Sequence, residues 1–351
     1  MSMKIISVVG ARPQFVKLSP ISRALAGRVE HVVVHTGQHY DSLMSDVFFR
    51  DLGMPEPDVN LAIGSGAHGA QTGAMLAALE PVFEQHRPDW VLAYGDTNST
   101  LASAIAAVKM HLPLAHLEAG LRSFNRTMPE EHNRVLTDHA ADVCLAPTAT
   151  AMSHLEREGL TSRSVLVGDV MTDVLYAVRD RVLADPPTLP WNDNESVVAT
   201  IHRAENTDDP SRLRAVIKSL STVDRPVRLL AHPRLRIFAE RAGIVLEGGA
   251  ITVHDPLPYP ELIAAVVQGS GVVTDSGGLQ KEAYLLRRMC TTVRPETEWV
   301  ETVDSGWNVL VGNDLSALAS AVARPTATEP TDHPYGHGHA AERVAAVLIG
   351  D

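Results

Sequence analysis

Several large protein classes are excluded by what this sequence does not contain. No apolar run reaches the roughly 18 residues of a membrane-spanning helix, and the first residues carry no signal-peptide pattern, so the expected location is the cytoplasm and no membrane partner is expected. Cysteine is nearly absent. Cys144 and Cys290 each sit in a strand-like apolar run, which points to buried thiols rather than redox or metal chemistry. Basic residues are in deficit: 30 Lys and Arg stand against 42 Asp and Glu, a formal net charge of −12. Nucleic acid needs a cationic surface and is therefore not an expected partner, and any anionic ligand has to be held by a few local groups. No G-x-G-x-x-G follows the first strand, so NAD is not inferred. Neither HExxH nor a Cys/His set with zinc spacing occurs, so no metal or other cofactor is expected. His337-Gly338-His339 reads as a loop.

What is present is a regular alternation. Apolar runs of strand length exchange with amphipathic stretches of helix length throughout, which predicts an α/β protein with mainly parallel sheets. In the first half the strands are read at KIISVV, VEHVVVH, DWVLAY, LPLAHL, DVCLAP and SVLVG. The stretch ADPPTLPWNDNES then reads as a linker, and the pattern restarts with SVVATIH, VRLLAHP, AITVHDP, GVVTDS and CTTVRP. At 351 residues two domains are the default. The expected division is 1–170 for a domain carrying catalytic carboxylates, 171–338 for a UDP-binding domain, and 339–351 for a final helix packing back on the first. Polar residues gather just past the strand ends in both halves, where ligands bind in open parallel sheets. Two Rossmann-like domains facing across a cleft are the economical arrangement.

The ligand is best indicated by GVVTDSGGLQKE, residues 271–282. A short strand breaks into Ser276-Gly277-Gly278 and a helix follows. The glycines permit close approach of a bound group, and the free N–H groups of the helix start favour an anion. Ser276 adds a hydroxyl, and Glu282, about one turn on, can accept from both hydroxyls of a ribose. A nucleoside diphosphate site is the functional reading; a tight turn with glycines for packing is the structural one. His202 and Arg203 end another strand and are suited to a diphosphate, unless His202 is structural and Arg203 pairs with Glu205.

Three carboxylates are candidates for acid–base chemistry. Asp96 precedes the capping run Thr97-Asn98-Ser99-Thr100, so an N-cap or turn is its alternative role. Glu118 emerges from the strand Leu112–Leu117 beside Ala119-Gly120, a place with little reason for a surface charge. Glu130 and Glu131 open a helix, where one of them suits the macrodipole; Glu130 is nearer the loop and is preferred for chemistry. Arg134, one turn on, can neutralise a carboxylate or a phosphate.

Taken in order, GARPQFVKLSP, HTGQHYD, YGDTNSTLA, HLEAGLRS, MPEEHNRVLTD, HRAEN and TDSGGLQKEA resemble the blocks of the non-hydrolysing UDP-N-acetylglucosamine 2-epimerases. The resemblance implies the glycosyltransferase-B arrangement of two Rossmann-like domains, a UDP-sugar substrate, no NAD, no metal and a homodimer. It implies that Arg12, Ser276, Gly277, Gly278 and Glu282 bind UDP with His202 at the diphosphate. Lys17, Arg134 and Arg203 are further candidate cations there. Asp96, Glu118 and Glu130 would serve as acid–base groups at the sugar, with His202 alongside them. The implied reaction interconverts the gluco and manno forms of the UDP-sugar by elimination and re-addition of UDP.

Four positions depart from the best-known members. Trp299 stands where those often have Arg, while Tyr40-Asp41 and Ala70 replace side chains that line a second UDP-sugar site in members activated by their own substrate. The versions ARPQF, TGQHYD, SFN with MPEE, and TEWVE resemble a branch acting on UDP-2,3-diacetamido-2,3-dideoxyglucuronate. A UDP-sugar glycosyltransferase, a hydrolysing epimerase and a UDP-sugar-binding regulator remain as other classes.

Overall fold

A computed structural model describes residues 3–38, 56–312, 314–330 and 332–351, except for the side chain of Arg12. Tyr40 and Asp41 lie outside the described residues, as does the end of the HTGQHYD block. The chain divides into two compact units: Met1–Val174 together with His333–Asp351, and Leu175–Asp332.

Among the described residues the first unit has seven parallel strands: β1 (Lys4–Val9), β2 (Glu30–His35), β3 (Val59–Asn60), β4 (Trp90–Tyr94), β5 (Leu114–Leu117), β6 (Val143–Ala146) and β7 (Ser164–Leu166). Their spatial order is β3-β2-β1-β4-β5-β6-β7. Alternate side chains of β1 feed two cores, as the period of a strand requires. Ile6 and Val8 pack with Met75, Leu79 and Phe83 of the helix His68–His86 and with the alanines of Asn98–Lys109. Ile5 and Val9 pack with Leu18 and Ile21 of the helix Arg12–Leu25 and with Val344 and Leu348 of the last helix, Ala340–Ile349. Both faces are therefore covered, which is why these strands read as apolar runs.

The second unit has six parallel strands: β8 (Val197–Thr200), β9 (Val227–Leu230), β10 (Ile251–His254), β11 (Gly271–Thr274), β12 (Cys290–Thr292) and β13 (Asn308–Leu310). Their order is β10-β9-β8-β11-β12-β13. In each sheet the strand order reverses once, between β1 and β4 and between β8 and β11, and such a switch point opens a crevice at the strands' carboxyl ends.

Eleven of these strands match apolar runs in the sequence, with ends trimmed. β3 and β13 do not stand out there, because two or three residues carry no periodicity of their own. The helix Val170–Ala184 runs on to the Pro186-Pro187 pair, and the passage between units falls inside it, at Val174–Leu175. The return begins at His333, six residues before the final helix region expected from the sequence. Tyr335 explains the difference: it is buried, and its carbonyl accepts from Asp169 N at 3.0 Å. Asp173 then accepts from Ala340 N and Ala341 N at 3.0 and 2.8 Å, placing a carboxylate on the last helix's N-terminus. Cys144 and Cys290 are buried and unpaired, and burial pushes both thiols up to about 12.

Candidate active site

At the switch point of the first sheet, the loops after β1 and β4 are tied together by one side chain that sequence reasoning missed. Gln14 Oε1 accepts from Gly10 N and Ala11 N at 2.7 and 2.9 Å. Its Nε2 donates to the Tyr94 carbonyl at 2.6 Å and to Thr97 Oγ1 at 3.0 Å. A buried glutamine two residues after a Gly-Ala-Arg loop was the only signal available.

Asp96 is not the cap of its helix. Thr97 holds that position, accepting from Thr100 N, and the Asp96 carboxylate instead lies 2.6 Å from Arg134. Arg134 also reaches Glu131, at 2.7 Å. Burial opposes the Arg134 charge, yet Asp96 and Glu131 together hold the guanidinium above its ordinary range.

The adjacent helix start separates the two glutamates. Glu131 is buried and accepts from Ser123 N, Ser123 Oγ and Phe124 N, each at 2.9 Å. Burial would raise its pKa, but these donors and Arg134 hold it below the usual range. Glu131 is thus committed to the loop. Glu130 is half-buried and has no side-chain partner among the described residues, which leaves its carboxylate available.

Glu118 follows β5 with φ +71°, a left-handed conformation that a non-glycine residue adopts only under constraint. Its carboxylate is ion-paired with Lys17. Burial works against the Lys17 charge, but Glu118, with Asp96 and Asp169 nearby, holds the ammonium above its ordinary range. Gly95 has to be glycine here, since a Cβ would stand 3.3 Å from Glu118 Oε2 and 3.5 Å from Lys17 Nζ at a φ of +64°. Lys17, a candidate for UDP on sequence grounds, is therefore paired with Glu118, a candidate acid–base residue.

At the switch point of the second sheet the organiser is Asp275, another residue to which sequence reasoning assigned no role. Buried at the end of β11, it accepts from the backbone of His202 (3.1 Å) and Arg203 (3.0 Å) and from Asn206 Nδ2 (3.1 Å), and it pairs with His202 Nδ1 at 3.1 Å. Burial would raise its pKa; His202, Arg203 N and Asn206 hold it below the usual range. With Nδ1 on Asp275, the exposed edge of His202 presents Nε2. Burial and the neighbouring His202 lower the pKa of His232, whose ring lies 6.0 Å from that of His202.

Ser276 caps the helix Gly277–Leu285, its hydroxyl oxygen accepting from Leu279 N at 3.4 Å while its own hydrogen stays available to donate. A Cβ on Gly277 would meet Glu298 Oε1 at 2.4 Å and Arg203 at 3.6 Å, so Arg203 lies beside the glycine turn. Glu298 itself is ion-paired with Arg294 at 2.8 Å. Glu282 accepts from Tyr259 Oη at 2.8 Å, which fixes one carboxylate oxygen. Lys281 lies 4.1 Å from the centre of the buried Trp299 ring, so Trp299 here is a packing platform.

The glycine turn with His202 and Arg203 forms one cluster, in the second unit. Asp96, Glu118, Lys17 and Arg134 form the other, in the first. Arg12 starts its helix after β1, and its side chain lies outside the described residues.

Known proteins resemble this chain in sequence and fold. A model of the family described as UDP-N-acetylglucosamine 2-epimerase matches residues 23–349. The chain is 45% identical to the UDP-2,3-diacetamido-2,3-dideoxy-D-glucuronate 2-epimerase of Pseudomonas aeruginosa, over 99% of each chain. It is 37% identical to a UDP-N-acetylglucosamine 2-epimerase of Methanocaldococcus jannaschii, again over 99% of each. Its fold is similar to the crystal structure of the Methanocaldococcus jannaschii UDP-GlcNAc 2-epimerase in complex with UDP-GlcNAc and UDP. There the TM-score is 0.84 at 36% identity, covering 99% of this chain and 100% of that one.

Proposed function

This chain belongs to the UDP-N-acetylglucosamine 2-epimerase family, and we propose that it is a non-hydrolysing isomerase interconverting UDP-GlcNAc and UDP-ManNAc. The observation that carries the mechanism is Glu118, held in left-handed backbone with its carboxylate on Lys17 and with the Asp96 turn beside it.

The sugar C2 proton is too weakly acidic for simple abstraction, so inversion proceeds by elimination. One carboxylate removes the C2 proton as the C1–O bond to UDP breaks, giving 2-acetamidoglucal and UDP. UDP then re-adds at C1 while a second acid returns a proton to the other face of C2. Asp96, Glu118 and Glu130 supply groups for these transfers. Lys17 and Arg134 fix two of the carboxylates. Ser276, Gly277, Gly278, His202 and Arg203 hold the diphosphate, whose charge rises as it leaves, and Glu282 takes the ribose. No cofactor takes part in this scheme.

A second substrate has specific support. The 45% identity to the Pseudomonas aeruginosa enzyme favours UDP-2,3-diacetamido-2,3-dideoxyglucuronate, on which the same C2 inversion applies. Incubating the protein with each UDP-sugar and resolving the products by chromatography and NMR decides between them. The 2-epimer without free UDP is expected from one of the two. Stoichiometric free UDP and free sugar would mean hydrolysis, and no turnover of either substrate would overturn the reading. On the same reading the enzyme is a cytoplasmic homodimer serving polysaccharide or natural-product sugar biosynthesis; light scattering in solution checks the dimer.

A further inference from the structure

We infer that His116 is a positioning residue for this reaction, a buried link that fixes the turn bearing Asp96 against the turn bearing Glu118. The inference rests on the epimerase reading, in which those two carboxylates act at the sugar.

His116 lies inside β5, fully buried, with Ala93 of β4 and Cys144 of β6 as its neighbours in the sheet. Its Nε2 is 2.7 Å from the carbonyl oxygen of Gly95, whose peptide leads directly into Asp96. Its Nδ1 is 2.6 Å from Asp138 Oδ1. The other oxygen of Asp138 accepts from Gly120 N at 3.0 Å, two residues beyond Glu118, and from Arg122 at 2.7 Å. His116 and Gly120 thus flank Glu118 and are tied to the same carboxylate.

A carbonyl oxygen and an ionised carboxylate can only accept. Both ring nitrogens of His116 therefore face acceptors, Nε2 the Gly95 carbonyl and Nδ1 the Asp138 carboxylate. Arg122 is held in turn between Asp138 and Glu158, which binds it at 2.8 and 2.7 Å. A satisfied buried network of this kind is rigid and specifies one geometry. That rigidity is what the left-handed backbone of Glu118 requires of its surroundings. Gly120, at φ +81°, leaves no slack either: a Cβ there would meet the Ala151 carbonyl oxygen at 2.4 Å.

A purely structural histidine would, when removed, lower stability and every kinetic parameter together. A positioning residue lowers kcat while leaving UDP binding to the second unit intact. The test uses the full-length enzyme with the substrate that turns over, and the variants His116→Gln and Asp138→Asn. The Asp138→Asn amide can donate to Nδ1, so a neutral ring keeps its Nε2 bond to Gly95, and this change should rescue geometry without charge. His116→Gln should lose about 30-fold or more in kcat, with KM and calorimetric UDP affinity within about 3-fold of wild type. Asp138→Asn should keep kcat within roughly 5-fold. Wild-type kcat in His116→Gln overturns the inference, as do equal losses in kcat and UDP affinity. If His116→Gln does not fold, Asp138→Asn decides: a loss of kcat of about 30-fold in a folded Asp138→Asn protein overturns it. Histidine-ring ¹⁵N NMR of the wild type stands apart from turnover. Two protonated nitrogens at His116 support the link even if neither UDP-sugar is epimerised, and a singly protonated ring with no bond to Gly95 refutes it.

Discussion

The Lys17 ammonium is ion-paired with the Glu118 carboxylate at a residue whose own backbone is left-handed, with φ +71°. A non-glycine residue pays for that conformation by about 1–3 kcal/mol, and the cost persists only where the surroundings enforce it. The enforcement is local: Gly95 vacates the space around the pair, and Gly120 turns the chain immediately afterwards.

The proposed mechanism gives Glu118 and Asp96 acid–base roles. Glu118→Gln and Asp96→Asn keep shape but remove the base, and each should lower kcat by at least about 100-fold in a protein that remains folded. Wild-type turnover in deuterium oxide should place deuterium at C2 of the epimerised sugar, as read by mass spectrometry and NMR. Near-normal kcat in Glu118→Gln would return that carboxylate to a merely structural ion pair, and product free of deuterium would sink the exchange step.

The glycine turn of the second unit predicts separable effects on UDP. Gly277→Ala should fold, because the atom it would meet is the end of the flexible Glu298 side chain, 2.4 Å from the new methyl. The methyl fills the anion cradle, so UDP affinity by calorimetry should drop roughly 10-fold or more. Glu282→Ala should cost roughly 1–3 kcal/mol of UDP binding. Unchanged affinity in both variants would remove the turn from the nucleotide site.

Stability should depend on Asp275 in a pH-dependent way. Its folded pKa lies below the unfolded value of about 3.9, so its contribution is fully present above that value and is lost as pH falls through the folded one. The difference in urea midpoint between wild type and Asp275→Asn should be widest above about pH 5 and shrink progressively below about pH 4. A difference constant across that range would show that the depressed pKa does not stabilise the fold.

Rate should rise hyperbolically with substrate. Asp41 and Tyr40 lie outside the described residues, and the expectation rests on their identity and on Ala70, which is exposed on the helix His68–His86 and carries no donor. Of the remaining amides, Gln71 is engaged at both its nitrogen and its oxygen. Gln71 donates to the Gly64 carbonyl at 2.7 Å and accepts from Asn98 at 2.8 Å, while Gln38 accepts from Ser99 Oγ at 2.7 Å. Asp41 enters by its charge alone, since a like charge close to a diphosphate costs on the order of a few kcal/mol. Reverse turnover from the manno-configured sugar should need no added gluco-isomer. A sigmoidal curve, or a lag relieved by traces of that isomer, would contradict this.

By itself the sequence determined the α/β architecture and most of its strands. Strands buried on both faces must be apolar from end to end, so runs such as KIISVV and GVVT are visible without structure. It also placed the glycine turn, because two glycines followed at once by a helix pattern are visible in the linear text. Only the tertiary structure decided which neighbouring carboxylate is free. Glu130 and Glu131 are equivalent in sequence, and the Ser123-Phe124 backbone that claims Glu131 arrives from seven to eight residues away. The partners of Lys17, Asp96 and His202 lie 101, 38 and 73 residues off along the chain. Gln14, His116 and Asp275 look like ordinary polar residues in the linear text. Their function consists of hydrogen bonds between strand ends that come together only when the sheet forms, so no local pattern records it.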